Sequence, residues 1–189
     1  KMQILFSYPI GFYHPVVYES SGIKTFADIK GKTVFLGPPA GVATRNAAMI
    51  VEAMTGYKAG RDFKQVKLGW GPAQQAFQDK KFDVWITNTM PPSPAVSQLT
   101  LRNKIRLLPL DEAKFNHPRW RQYVAQPGRR QTYIDPKVYG KNMMNEKPVL
   151  STGAMVGMSV RSDMDAELVY KMMKAFWDNI PDAHALSKS

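Results

Sequence analysis

Thr33-Val34-Phe35-Leu36-Gly37-Pro38-Pro39-Ala40-Gly41-Val42-Ala43-Thr44 decides the fold. The first four residues form an apolar, β-branched run of the kind that makes a buried strand, and the glycine–proline turn stops it. From about Thr44 the apolar positions Ala47, Ile50, Val51 and Met54 recur at helical spacing, and Gly56 stands where a helix C-terminal glycine belongs. The unit then repeats. Residues 65–68 read as a strand, followed by Gly69-Trp70-Gly71 and a helix with Pro72 at its first position and Ala73, Ala76 and Phe77 on its apolar face. A third strand at 83–87 runs into Asn88-Thr89-Met90-Pro91-Pro92, after which Ser93 reads as an N-cap and Pro94 as the first helical residue. A strand at 105–108 closes the series before Asp111 caps a short helix. Repeated strand, loop and helix predict an α/β fold built on a parallel sheet with right-handed crossovers.

The flanks read differently. Residues 6–18 hold Tyr8-Pro9 and a Val16-Val17 strand, then a turn at Ser20-Ser21-Gly22. Residues 126–147, with Pro127-Gly128 and Asp135-Pro136, read as loop. Residues 151–160 read as extended chain, and Leu168, Met172, Phe176 and Ile180 mark an amphipathic helix starting near Asp163. The expected organisation is therefore one doubly wound, ligand-binding α/β lobe over 24–147. Residues 1–23 and 148–189 are expected to supply connecting strands and part of a second lobe.

The 189 residues suit one generous domain or two small ones, and 44% hydrophobic with 22% charged residues is ordinary globular composition. There are no cysteines, which removes disulfide frameworks, thiolate metal sites and cysteine nucleophiles. No stretch reaches the roughly 20 apolar residues of a membrane span, and the first residues, Lys1-Met2-Gln3-Ile4, lack a signal-peptide design. The net charge is +11, but the basic residues are scattered, with Arg119/Arg121 and Arg129-Arg130 as the local concentrations. With no zinc-finger, RNP or basic-region pattern, this reads as a solvated basic surface favouring anionic ligands and not as a nucleic-acid groove.

Enzyme motifs fail. Residues 37–42 lack the second glycine and lysine of a phosphate loop, and Gln74 stands where a dinucleotide fingerprint needs its last glycine. His14, His117 and His184 form no metal-spaced pair, and Asp79 and Asp83 read as turn residues around Lys80-Lys81. No catalytic residue, metal or cofactor is expected. The loops after the strands carry more chemistry. Three helix N-termini should emerge at one sheet edge, each with free backbone N–H groups and about half a unit of positive charge. That makes a site for a small anion, with Pro39, Ala40, Gly41, Val42, Ala43 and Thr44 as its backbone cradle. Gly41 is expected to let the ligand approach closely and Thr44 to add a hydroxyl donor. Arg45 can assist, Trp70 can wall the pocket, and Asn88 and Thr89 offer polar groups at a strand end.

Residues 21–34, Ser-Gly-Ile-Lys-Thr-Phe-Ala-Asp-Ile-Lys-Gly-Lys-Thr-Val, followed by Leu36-Gly37-Pro38-Pro39, resemble the TAXI-type solute receptors of TRAP transporters. Later blocks continue the resemblance in order: Gln78-Asp79-Lys80-Lys81-Phe82-Asp83-Val84, Pro91-Pro92-Ser93-Pro94-Ala95-Val96, Ile105-Arg106-Leu107-Leu108-Pro109-Leu110, Thr132-Tyr133, and Val160-Arg161-Ser162-Asp163-Met164 with Tyr170 and Trp177 beyond. The resemblance implies a type II-like periplasmic-binding-protein fold whose two lobes close over a small anionic solute. That solute would be a carboxylate such as glutamate or 2-oxoglutarate, delivered to TRAP-type permease subunits outside the cytoplasmic membrane. The match begins well inside the family's chain, so most of an N-terminal lobe is expected to lie outside this sequence. Many members carry Gly-Ser-Gly-Thr after the prolines. Here Ala40-Gly41-Val42-Ala43-Thr44 lacks the serine hydroxyl and keeps the backbone amides. A cytoplasmic sensor domain of the same fold, joined to a DNA-binding module, stays open as the alternative.

If the positive charge serves solubility and ligand attraction, duplex DNA will bind weakly and without sequence preference at physiological salt. Fluorescence anisotropy with unrelated duplexes checks this, and micromolar or tighter sequence-specific binding would overturn the reading.

Overall fold

The computed structural model describes residues 1–181 and divides into two compact units, Pro9–Val156 and Lys1–Tyr8 with Gly157–Ser189. His184 lies outside the described residues. The elements are β1 Met2–Tyr18, β2 Thr33–Phe35, α1 Val42–Thr55, β3 Lys64–Val66, α2 Trp70–Gln78, β4 Val84–Thr89, α3 Pro94–Thr100, β5 Ile105–Leu107, α4 Pro118–Val124, β6 Arg129–Ile134, β7 Val149–Arg161 and α5 Ala166–Asp178.

The fold is mixed α/β, with sheet order β3-β2-β4-β1-β7-β6 and β5 also paired to β1. The expected parallel arrangement holds for β3, β2 and β4. It does not extend to β5, because β1 enters antiparallel between them. Phe12 faces Thr89 and Val17 faces Val84 on one edge of β1, while Val16 faces Leu107 and Tyr18 faces Ile105 on the other. Being antiparallel to the same strand, β4 and β5 still point the same way. The Val16-Val17 strand expected in a connecting flank is thus the middle of the sheet. The larger unit reaches past the 24–147 range at both ends, through residues 9–18 of β1 and 149–156 of β7.

Period-two alternation sends side chains to two cores. Tyr13 and Val17 of β1, Val34 of β2, and Val84 and Ile86 of β4 meet Ala47, Ile50, Val51 and Met54 of α1 and Trp120 and Tyr123 of α4. On the opposite face Phe12, Val16, Phe35, Trp85, Ile105 and Leu107 meet Ala73 and Phe77 of α2 and Val96 and Leu99 of α3. Helices on both faces make the lobe doubly wound. Two elements had no forecast. The 126–147 stretch expected as loop holds β6, an edge strand whose Arg-Arg-Gln-Thr-Tyr-Ile has no apolar alternation, since only Ile134 is buried and half of its residues face water. Helix α4 starts at Pro118, with His117 Nδ1 accepting from the Arg119 N–H at 3.1 Å. In the smaller unit, α5 begins at Ala166, three residues after the expected start. Asp165 caps it by accepting from the Leu168 N–H, and Phe6 stacks on Phe176 at 5.0 Å.

His14 is fully buried in β1. Its Nδ1–H donates to the Phe12 carbonyl at 2.8 Å, which leaves Nε2 to accept the Tyr139 hydroxyl, also at 2.8 Å. The Tyr139 oxygen in turn accepts from the Ser93 N–H at 3.1 Å. Burial pushes the His14 pKa down to about 4, against a weaker opposing effect of the Phe12 carbonyl. The folded state thus holds a neutral imidazole that the unfolded chain protonates below about 6.5. Stability from this group is complete above that value, falls as pH drops from about 6.5 to about 4, and is flat below, a total of about 3 kcal/mol. Urea unfolding at stepped pH should show this slope, and His14→Gln should lose it.

Candidate functional site

The first turns of α1, α2 and α3 follow β2, β3 and β4, so all three open at the carboxyl edge of the parallel strands. None has a side-chain cap: Gly41, Gly69 and Ser93 hold the N-cap positions without a side-chain bond to the helix. The other two helices, α4 and α5, are capped by His117 and Asp165. Ser93 and Pro94 occupy the expected N-cap and first helical positions, and only the expected side-chain cap is missing. Helix α2 begins two residues before Pro72, so Trp70 is its first residue and not part of a loop.

The α1 turn is held from inside. Gly37 has φ +129°, and a Cβ there would stand 2.5 Å from Thr44 Oγ1. That makes Gly37, and not Gly41 with its ordinary φ of −74°, the position that requires glycine. Ala40 sits in the left-handed region at φ +61°. The Thr44 hydroxyl, expected to face a ligand as donor, gives its proton to the Pro38 carbonyl at 2.6 Å. The Gly41 N–H goes to the same carbonyl at 3.2 Å, so the free backbone donors of this turn are those of Val42, Ala43 and Thr44.

A cleft of about 510 Å³ lies beside this turn, lined by Pro39, Ala40, Gly41, Val42, Thr44 and Arg45 together with Gln65 and Lys67. Arg45 and Lys67 make it basic, and no acid lines it. Clefts of similar size at Gly31 and residues 59–65, and between Thr25 and Lys114, include none of the three helix starts. Ala43, Trp70, Asn88 and Thr89 do not line the basic cleft. Trp70 sets its ring against the Phe35 ring at 5.5 Å. Asn88 and Thr89 are not loop residues: they are the last two of β4, paired with Tyr13 and Phe12.

Asn88 belongs to a second polar group under the same turn. The Tyr13 hydroxyl donates to the Ala43 carbonyl at 3.3 Å. Burial raises its pKa, while the Asn88 amide, the Arg129 charge and the Asn46 amide act in the opposite direction. Tyr123 is pushed up to about 12, again by burial first. Arg129 packs its guanidinium over the Tyr123 ring at 5.4 Å. Sequence reading missed Tyr13, Asn46 and Arg129. Tyr13 lies on a strand that reads as a flank, Asn46 has no mark beyond its place in a helical run, and Arg129 reads as solvated surface. Among the described residues no group of three or more His, Asp or Glu side chains could hold a metal ion, and no helix is long and apolar enough to cross a membrane.

The NMT1-like family model matches residues 2–189. The chain belongs to the NMT1-like family. Solved structures it resembles include the periplasmic aliphatic sulphonate binding protein SsuA from Escherichia coli, with 26% identity over 59% of this chain and 36% of that one, TM-score 0.43. A second is the alkanesulfonate-binding protein SsuA from Xanthomonas axonopodis pv. citri bound to MOPS, with 24% identity over 56% and 37%, TM-score 0.41. A third is the ectoine binding protein TeaA of the TeaABC TRAP transporter in its apo state, with 12% identity over 82% and 34%, TM-score 0.35. This NMT1-like chain spans about a third of the length of those three structures.

Gly37→Ala should destabilise the lobe by roughly 1–3 kcal/mol through strain at a positive φ, and Gly41→Ala by less. Thr44→Val should cost about 1 kcal/mol for the lost hydroxyl bond. Denaturant titration of the three variants checks the order. Equal effects at Gly37 and Gly41 would mean the loop is held in another way.

Proposed function

We propose that this protein is a non-enzymatic solute receptor of the TAXI type. It captures a small carboxylate of the glutamate or 2-oxoglutarate kind outside the cytoplasmic membrane and passes it to TRAP-type permease subunits. One observation carries the reading: the α-helices opening at the strands' carboxyl edge lack side-chain caps, whereas the other two have them. A side-chain cap contributes about 1 kcal/mol to a helix. Its absence at all three leaves backbone N–H groups for a ligand that supplies the missing acceptor. A carboxylate suits them in charge and geometry, since both its oxygens accept and the helix dipole favours the negative charge. Arg45 and Lys67 add long-range attraction, and the net charge of +11 steers anions toward the molecule. Membership of the NMT1-like family and the ordered blocks of TAXI-like sequence support the same reading.

The predicted site is Pro39, Ala40, Gly41, Val42, Ala43, Thr44 and Arg45, with Trp70, Asn88 and Thr89 at its margins. Donation falls to the N–H groups of Val42, Ala43 and Thr44. Capture needs no bond to break, so no general base, cofactor or metal enters.

Calorimetric titration with L-glutamate and 2-oxoglutarate should give binding that weakens as salt rises from about 50 to about 500 mM, because exposed charges are screened over shorter distances. The uncharged glutaramide should give none. Carboxylates without effect, or their conversion to a product seen by NMR, would sink the proposal.

A further inference from the structure

Of the four residues Pro91-Pro92-Ser93-Pro94, only Ser93 has a main-chain N–H, so it is the one donor that can tie down the end of the β4–α3 turn. Its partner comes from far away in the chain. The Tyr139 oxygen accepts the Ser93 N–H at 3.1 Å, and the Tyr139 O–H donates to His14 Nε2 at 2.8 Å. The Phe12 carbonyl, an acceptor only, fixes the proton of the neutral imidazole on Nδ1. All three residues are buried.

This chain of bonds has one polarity, and it holds only while Nε2 keeps its lone pair. A proton from water that adds to Nε2 makes both ring nitrogens donors. Nε2–H and the Tyr139 O–H then point at each other. The Tyr139 oxygen can accept Nε2–H only by turning its own O–H into the core it shares with Val96, Leu99, Ile134 and Val149, whose side chains offer no acceptor. A buried donor without a partner is unfavourable, so the contact breaks and does not simply reverse. Nor does a carboxylate offset the new charge. β4, α3 and residues 149–160 of β7 contain no titratable side chain. Residues 135–139 bring Tyr139 with the exposed Asp135 and Lys137, and Asp135 is taken by the Lys137 N–H. β6 brings Tyr133 and two cations, Arg129 over the Tyr123 ring and Arg130 over the Phe12 ring at 5.9 Å. β5 brings Arg106, already paired with Glu19 at 2.9 Å.

We propose that His14, Tyr139 and Ser93 form an acid-released latch on the β4–α3 turn. Proton uptake at His14 Nε2 turns the Tyr139 hydroxyl away, frees the Ser93 N–H and lets residues 90–93 leave their place while both cores stay packed. Burial sets the release point at about 4, so the latch is closed at neutral pH and opens as pH falls through that value.

Hydrogen exchange read by NMR tests this in the unmutated protein. Relative to its intrinsic exchange rate, the Ser93 N–H should lose protection at least about tenfold between about pH 7 and about pH 4. The Val51 N–H, in the middle of α1, should keep its protection. The nitrogen resonance of His14 Nε2 should titrate with the same midpoint as the change at Ser93. His14→Gln keeps an acceptor for Tyr139 but cannot take the proton, so Ser93 should stay protected at both pH values. Tyr139→Phe removes the acceptor, so Ser93 should exchange freely at both. Ser93 protection unchanged while His14 titrates, a ring that stays neutral at about pH 4, or protection still lost in acid in His14→Gln overturns the latch. Loss at Ser93 and Val51 in one step would be global unfolding and overturns it as well.

Discussion

Residues 11–18 of β1 are buried, with β4 paired along residues 12–17 on one edge and β5 along residues 16–18 on the other, and the larger unit is arranged around that constraint. A strand with neighbours on each side has no freedom to slip: a one-residue shift would send Tyr13 and Val17 into the wrong core. Its odd and even residues then do different work. Tyr13 points to the α1 core and bonds the Ala43 carbonyl, while His14 points the other way and links through Tyr139 to Ser93, the residue before α3. Even Gly11 is set by this pairing. The Asn88 carboxamide lies over it, and a Cβ there would stand 2.8 Å from the Thr89 nitrogen.

Polar caps are distributed with equal regularity. Thr25 and Asp28 form a capping box, and Asp111, His117, Asp135 and Asp165 each accept from a backbone N–H two or three residues on. Each of these turns satisfies its donors locally. The three helix starts at the strand edge do not, and they are preceded by Gly, Gly and Ser without a side-chain bond. Stability alone would favour Asp at such positions. An Asp there would also occupy the donors and repel an incoming anion. The missing caps and the basic lining of Arg45 and Lys67 therefore have one electrostatic sense.

What the sequence disclosed followed burial. β2, α1, β4 and α3 were legible because their apolar residues recur with a period that only one backbone geometry satisfies, and glycine and proline punctuate their ends. β6 and α4 were not, since β6 is polar with a single buried residue, and α4 is a short helix whose signal is one His-Pro pair. The antiparallel entry of β1 was hidden because partner choice is a long-range property: Tyr13 and Asn88 are neighbours in space and 75 residues apart in the chain. The candidate site divided in the same way. Its backbone cradle at 39–45 could be read from a turn feeding a helix. Arg129 and Tyr13 could not, because nothing local marks an arginine on an edge strand or a tyrosine on a central one.

For the proposed site, a cradle at this turn would be built before a ligand arrives. The Pro38 carbonyl accepts both the Gly41 N–H and the Thr44 hydroxyl, and the Ala43 carbonyl accepts the Tyr13 hydroxyl, so the first turn of α1 is held from the loop below it and from the sheet beside it. Those bonds consume a hydroxyl that the sequence suggested as a ligand donor, and in exchange they fix the direction of the three N–H groups that remain. Association loses free energy wherever side chains or loops must be ordered on binding, by roughly 0.5–1.5 kcal/mol for each rotamer-rich side chain immobilised. A site that donates through backbone groups on a braced helix avoids most of that loss. On the proposed reading, the same bracing lets the turn do without the serine hydroxyl: with Thr44 turned inward to the loop, recognition at this turn would fall to the N–H groups of Val42, Ala43 and Thr44.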